Sequence, residues 1–125
     1  MISGMAKILL IDDSEDLRAM LRDELIAAGY DVTAVADGIA GLAAVRKASV
    51  DIVVTDIFMP EKDGLETIVE MRRDFPRIKI IAISGGGRMQ RTDHLTVAHE
   101  IGADEVLRKP FEPAQLVGTI ERLIV

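Results

Sequence analysis

Five short strand-like runs divide this chain at regular intervals: Lys7–Ile11, Asp31–Val35, Ile52–Thr55, Ile78–Ile83 and Glu105–Arg108. Each is followed by a segment whose apolar residues recur at helical spacing. Leu17, Met20, Leu21 and Leu25 repeat at i, i+3, i+4 and i+8, behind a capping Ser14 or Asp13 and ahead of a terminating Gly29. An alanine-rich helix covers Ile39–Lys47. Leu65, Ile68, Val69 and Arg72 mark a helix over Leu65–Phe75, set off by Pro60 and a Lys62-Asp63-Gly64 turn and stopped by Pro76. A Gly85-Gly86-Gly87 loop precedes a helix near Asp93–Ile101, and Pro113 opens the last helix, with Leu116, Ile120 and Leu123 on its apolar stripe. The third run is apolar without alternation, as suits a strand covered on both faces. Five successive βα units imply an α/β fold, a doubly wound (βα)5 parallel sheet with right-handed crossovers.

The length of 125 residues is that of one domain, 1–125, and the chain shows no internal repeat or linker. Residues 1–5 read as a frayed end or an appended remnant, and the last helix is expected to close the chain without an output domain. With no cysteine there is no disulfide or thiolate chemistry, which suits a reducing cytoplasm, the expected location. No apolar run approaches the ~20 residues of a membrane span, and no leader-like segment is visible. A net charge of −6 argues against non-specific nucleic-acid binding.

In an open parallel sheet ligands bind beyond the carboxyl ends of the strands. Four runs end there on chemically useful residues: Asp12-Asp13, Asp56, Ser84 and Lys109-Pro110. Three carboxylates gathered from distant stretches repel one another, by about 1 kcal/mol per pair at 4 Å in water and about 4 at an effective dielectric of 20. A divalent cation offsets this, and all-oxygen ligation favours magnesium, manganese or calcium. Such a set can favour phosphoryl transfer onto a carboxylate. Asp56 is the nucleophile, already ionised at pH 7, while the metal, Lys109 and Ser84 each take a phosphoryl oxygen.

This ordered set resembles the receiver domain of two-component response regulators. So do Met59-Pro60, Asp63-Gly64, Gly102-Ala103-Asp104 and Lys109-Pro110-Phe111, and the resemblance covers nearly the whole chain. It implies a flavodoxin-like sheet in the order 2-1-3-4-5 and a phosphoryl group received on Asp56 from a histidine kinase or a histidine phosphotransfer protein. It also implies Mg2+ held by Asp13, Asp56 and the backbone carbonyl of Phe58, with Asp12 acting through water. Lys109 and Ser84 contact the phosphoryl group, and the Lys109–Pro110 bond is cis. The module changes its surface toward an unknown downstream protein, with a phosphorylation-dependent dimer as one form of output. It is not an enzyme beyond its own phosphorylation and slow autodephosphorylation.

Two features depart from the family pattern. Val106 stands three residues before the lysine, where receivers commonly carry an aromatic ring, and the loop after the fourth run is about three residues longer than usual. Signalling is therefore expected to run through that loop and the Asp93–Ile101 helix. Taken singly, the residues have plainer readings: Asp12-Asp13 as a capping pair, Asp56 as a strand-end turn residue. His94 and His99, five apart, lack the spacing of a helical zinc pair, and Arg88 and Arg91 read as a solvated loop. The outer face of the last two units, with Phe111 and Leu107, is a candidate partner surface, whereas Leu116 and Ile120 read as core. Two other classes compete with the leading reading. A magnesium-dependent aspartate-nucleophile phosphatase usually needs an acid two positions after the nucleophile, where Phe58 stands. A degenerate pseudo-receiver would keep the fold without the chemistry.

Overall fold

The computed structural model of the chain describes residues 5–57, 64–84, 100 and 102–124. Phe58, Met59, Pro60, Lys62 and Asp63 lie outside the described residues. So do the glycine loop, Arg88, Arg91, His94, His99 and, apart from Glu100, the Asp93–Ile101 helix. The strands are β1 (Lys7–Ile11), β2 (Asp31–Val35), β3 (Ile52–Asp56), β4 (Lys79–Ser84) and β5 (Glu105–Arg108). They form one parallel sheet in the order β2-β1-β3-β4-β5. The described helices are α1 (Glu15–Ala27), α2 (Gly38–Lys47), α3 (Gly64–Asp74) and α4 (Pro113–Ile124).

Successive side chains of a strand point to opposite faces, and here both faces are buried. Ile8 and Leu10 of β1 pack with Leu21 and Leu25 of α1 and Leu116 and Ile120 of α4. Leu9 and Ile11 pack on the other side with Leu42 and Val45 of α2 and Ile68 and Met71 of α3. Hence the central runs lack alternation. The edge strands β2 and β5 are only partly buried and carry Asp31, Glu105 and Arg108, charges that discourage pairing with another sheet.

Caps place the helices. Ser14 Oγ accepts from Leu17 N at 3.3 Å and Asp37 Oδ1 from Ala40 N at 2.8 Å. After α1, Gly29 adopts φ +101°. Its N–H donates to Ile26 O, and that of Tyr30 to Leu25 O, the paired bonds of a Schellman ending. Pro113 is the first residue of α4, and Gln115 Oε1 reaches back to Glu112 N at 2.8 Å, half of a capping box.

The apolar stripes are corrected at two places. Met20 is 43% exposed and Val69 45% exposed, so the core faces of α1 and α3 are narrower than the spacing suggests. On α3 the buried positions are Gly64, Thr67, Ile68 and Met71, a stripe rotated by one residue from that read in the sequence. Leu116 and Ile120 are buried core as expected, and Leu107 and Phe111 pack partly buried against the same cluster.

Candidate functional site

The carboxyl ends of β1, β3, β4 and β5 bring the expected residues to one edge. Asp12 follows β1 and Asp56 ends β3. These two are 1% and 5% exposed, whereas Asp13 is exposed. Two adjacent acids thus separate by direction. Asp12 turns inward, its Oδ1 accepting from Ser14 N at 2.8 Å, its N–H donating to Val35 O and its carbonyl taking a bond from Arg18 Nη1 at 2.8 Å. Arg18 was not singled out by the sequence; nothing in its spacing distinguishes it from any surface arginine of α1.

Carboxylate oxygens of Asp12, Asp13 and Asp56 lie within 4.8 Å of one another. Lys109 reaches into this group from the end of β5, its Nζ 3.3 Å from Asp56 Oδ2 and 3.7 Å from Asp12 Oδ2. Its backbone is fixed by a bond from Lys109 N to Ser84 O at 2.9 Å and is followed by a cis bond to Pro110. Ser84 is buried at the end of β4, one position beyond Ile83, which is in register with Asp56.

A further residue closes the site from behind. A Cβ on Gly64 would collide with the Asp56 carbonyl oxygen and lie 2.6 Å from Ile57 Cα, and Gly64 N donates to Ile57 O at 2.7 Å. Only glycine lets α3 start against the end of β3. The Asp63-Gly64 pair reads in sequence as a turn, which hides this packing role.

The electrostatics are incomplete. Among the described residues one ammonium stands against three carboxylates, and Asp12 Oδ2 is buried without a hydrogen-bond donor. Buried carboxylate oxygens are costly unless charge and hydrogen bonds compensate. An all-oxygen donor set with a surplus of negative charge suits a hard divalent cation, so Asp12, Asp13 and Asp56 can hold a metal.

This geometry coincides with a family match: a model of the response regulator receiver domain matches residues 8–121. The chain belongs to that family. The receiver is 35% identical over 120 residues to the transcriptional regulatory protein CpxR of Klebsiella pneumoniae, covering 96% of this chain and 50% of CpxR. It is 32% identical over 118 residues to the chemotaxis protein CheY of Thermotoga maritima, covering 94% of this chain and 96% of CheY. Chemotaxis response regulator CheY4 of Vibrio cholerae superposes with a TM-score of 0.86 at 32% identity, over 96% of this chain and 99% of that one. The receiver thus spans about half the length of most of the curated relatives it matches, CpxR among them, and nearly all of CheY. As a response regulator receiver it belongs to two-component signalling, and its fold is the flavodoxin-like one of these neighbours. Among the described residues no helix is long and apolar enough to cross a membrane.

Proposed function

We propose that Asp56 accepts a phosphoryl group from a phosphohistidine of a histidine kinase or phosphotransfer protein, with Mg2+ as cofactor. The supporting observation is the three-carboxylate crevice bridged by Lys109, with one buried oxygen of Asp12 unsatisfied. Asp13, Asp56 and the carbonyl of Phe58 would hold Mg2+, with Asp12 acting through water. Bound there, Mg2+ supplies positive charge against the transferring phosphoryl oxygens. Asp56 Oδ attacks phosphorus, the N–P bond of the donor breaks, and the imidazole leaves to be protonated. Lys109 pairs with one phosphoryl oxygen as charge builds, and the Ser84 hydroxyl donates to another. No protein base is required, because a carboxylate is a nucleophile at neutral pH.

Acyl phosphate formation adds about −1.5 to −2 charge to the crevice. The ammonium of Lys109, shared between Asp12 and Asp56 beforehand, is drawn to the new dianion. The chain turns over no diffusible substrate; it stores a phosphoryl group and presents an altered surface to a downstream protein. The setting is cytoplasmic, and a phosphorylation-dependent dimer is one route of output. Incubation with acetyl phosphate and Mg2+ tests the chemistry. A mass gain of one phosphoryl group is expected in the wild type, with none in Asp56→Asn and none with EDTA. No gain at millimolar donor and metal rejects the reading.

A further inference from the structure

At the opposite end of the sheet, where β3 and β4 begin, lies a cavity of about 530 Å³ between the carboxyl ends of α2 and α3. The length of β3 puts it roughly 15–20 Å from Asp56 at about 3.3 Å per residue. Its walls include Val50, Phe75 and Ile78, and its lining carries three cations, Arg46, Lys47 and Arg77, and no acid. That is unusual for a chain with 21 acidic and 15 basic residues.

Cations in the last turn of a helix ordinarily complement its dipole, which accounts for Arg46 and Lys47 alone. It does not account for Arg77, which lies beyond α3, nor for the hollow. Neither Lys47 nor Arg77 has an acidic partner among the described residues, and Arg46 has one long pair, 3.8 Å to Glu70. Nearby Asp74 is taken by Arg73 at 2.9 and 3.1 Å.

The walls are held in place. Arg72 Nη1 donates to the carbonyls of Pro76 and Ile78 at 3.0 Å each, Phe75 N donates to Met71 O, and Ala48 N donates to Ala44 O. The volume falls within the usual range for small-ligand sites, which are mostly apolar with a few placed charges. A preformed cavity also spares the ligand the cost of ordering it.

We infer that this cavity is a second binding site, for a small organic anion: a ring-sized apolar body bearing one carboxylate or phosphate. The body lies against Val50, Phe75 and Ile78, and the anionic group meets Lys47 and Arg77. The site is independent of the phosphoacceptor crevice and requires no metal.

The test uses 1-naphthoate, 1-naphthyl phosphate and the uncharged 1-naphthalenemethanol, each titrated to millimolar concentration into the isotope-labelled chain without Mg2+. Backbone amide shifts are recorded for the wild type and for Lys47→Glu/Arg77→Glu. Both anions are expected to shift residues 45–50 and 75–78 saturably, with the neutral alcohol at least about tenfold weaker. The double charge reversal is expected to weaken the anions about tenfold or more while amides of β1 to β5 keep their positions. Arg46→Gln/Lys47→Gln/Arg77→Gln gives a charge-neutral check on the same loss. The proposal is overturned if neither anion shifts these residues, if the alcohol binds as well as the anions, or if both variants bind undiminished. It is likewise overturned if only an acidic peptide, and neither anion, binds there.

Discussion

Two cation–carboxylate clusters sit at opposite ends of the same sheet, and they are finished to different degrees. At the amino end, Arg72 of α3 uses all five N–H groups of its guanidinium. Nε and Nη2 donate to Gly102 O at 3.1 and 2.6 Å, Nη1 to the carbonyls of Pro76 and Ile78, and Nη2 to Asp104 Oδ2 at 2.7 Å. Asp104 Oδ2 in turn accepts from Ile80 N at 2.7 Å. At the carboxyl end, Lys109 holds two buried carboxylates at 3.3 and 3.7 Å, with a third acid nearby, and the Asp12 oxygen at the longer distance receives no hydrogen bond among the described residues. A saturated ion pair locks chain segments together. An unsaturated one leaves charge to be answered by something that arrives, which is why the proposed chemistry is assigned to this end.

The sharpest way to break this contrast is to remove each cation. Lys109→Gln is expected to abolish phosphorylation by acetyl phosphate, read by intact mass, while changing stability by no more than about 1 kcal/mol. The glutamine amide can still donate to the Asp56 carboxylate, and Mg2+ offsets the negative charge that the lysine leaves behind. Arg72→Leu is expected to do the reverse. It strands three carbonyls and Asp104, costing about 2–4 kcal/mol in urea unfolding, and leaves residual phosphorylation of the folded fraction. Equal stability losses for the two variants would erase the distinction.

Smaller effects sharpen it. Gly64→Ala is expected to cost about 1–3 kcal/mol, because its Cβ meets the backbone of Asp56 and Ile57, and to slow phosphorylation by shifting Asp56. Asp13→Asn removes one of three mutually repelling carboxylates and is expected to raise stability without metal by up to about 1 kcal/mol. It should also reduce the stabilisation by Mg2+ that linkage requires of the wild type. Both are read from urea curves with and without Mg2+, and a destabilised, still Mg2+-responsive Asp13→Asn contradicts the reading.

The smallest effect lies on the face between α1 and α4. Burial, and secondarily the charge of Glu121, raise the pKa of Tyr30 above the ordinary tyrosine value. A raised pKa makes this contribution to stability complete below the unfolded value and lost as pH rises through the folded one. Tyr30 is the sole tyrosine, so tyrosinate absorbance reads it directly. Glu121→Gln is expected to lower the midpoint only slightly, since burial is the larger cause.

The central strands were legible because burial on both faces leaves an apolar signature, and the site was legible because strand ends deliver residues to one edge regardless of loop detail. The helix faces were less so. Met20 and Val69 fit an apolar period yet face solvent, since a three- or four-residue spacing tolerates a rotation of one position. The Gly64 contact was hidden because turn glycine and packing glycine look alike in sequence. Arg72 read as one more member of a helical stripe. Its four acceptors come from the turn after α3 and from residues 102–104, and no local pattern encodes a contact with residues about 30 positions away.

The central claim is that the under-satisfied crevice makes Asp56 the nucleophile. After acetyl phosphate treatment with Mg2+, borohydride reduction converts an aspartyl phosphate to homoserine, which peptide mass mapping locates. Homoserine at position 56 alone is the expected result. Homoserine at position 12 or 13, or none despite a phosphoryl mass gain, contradicts the account.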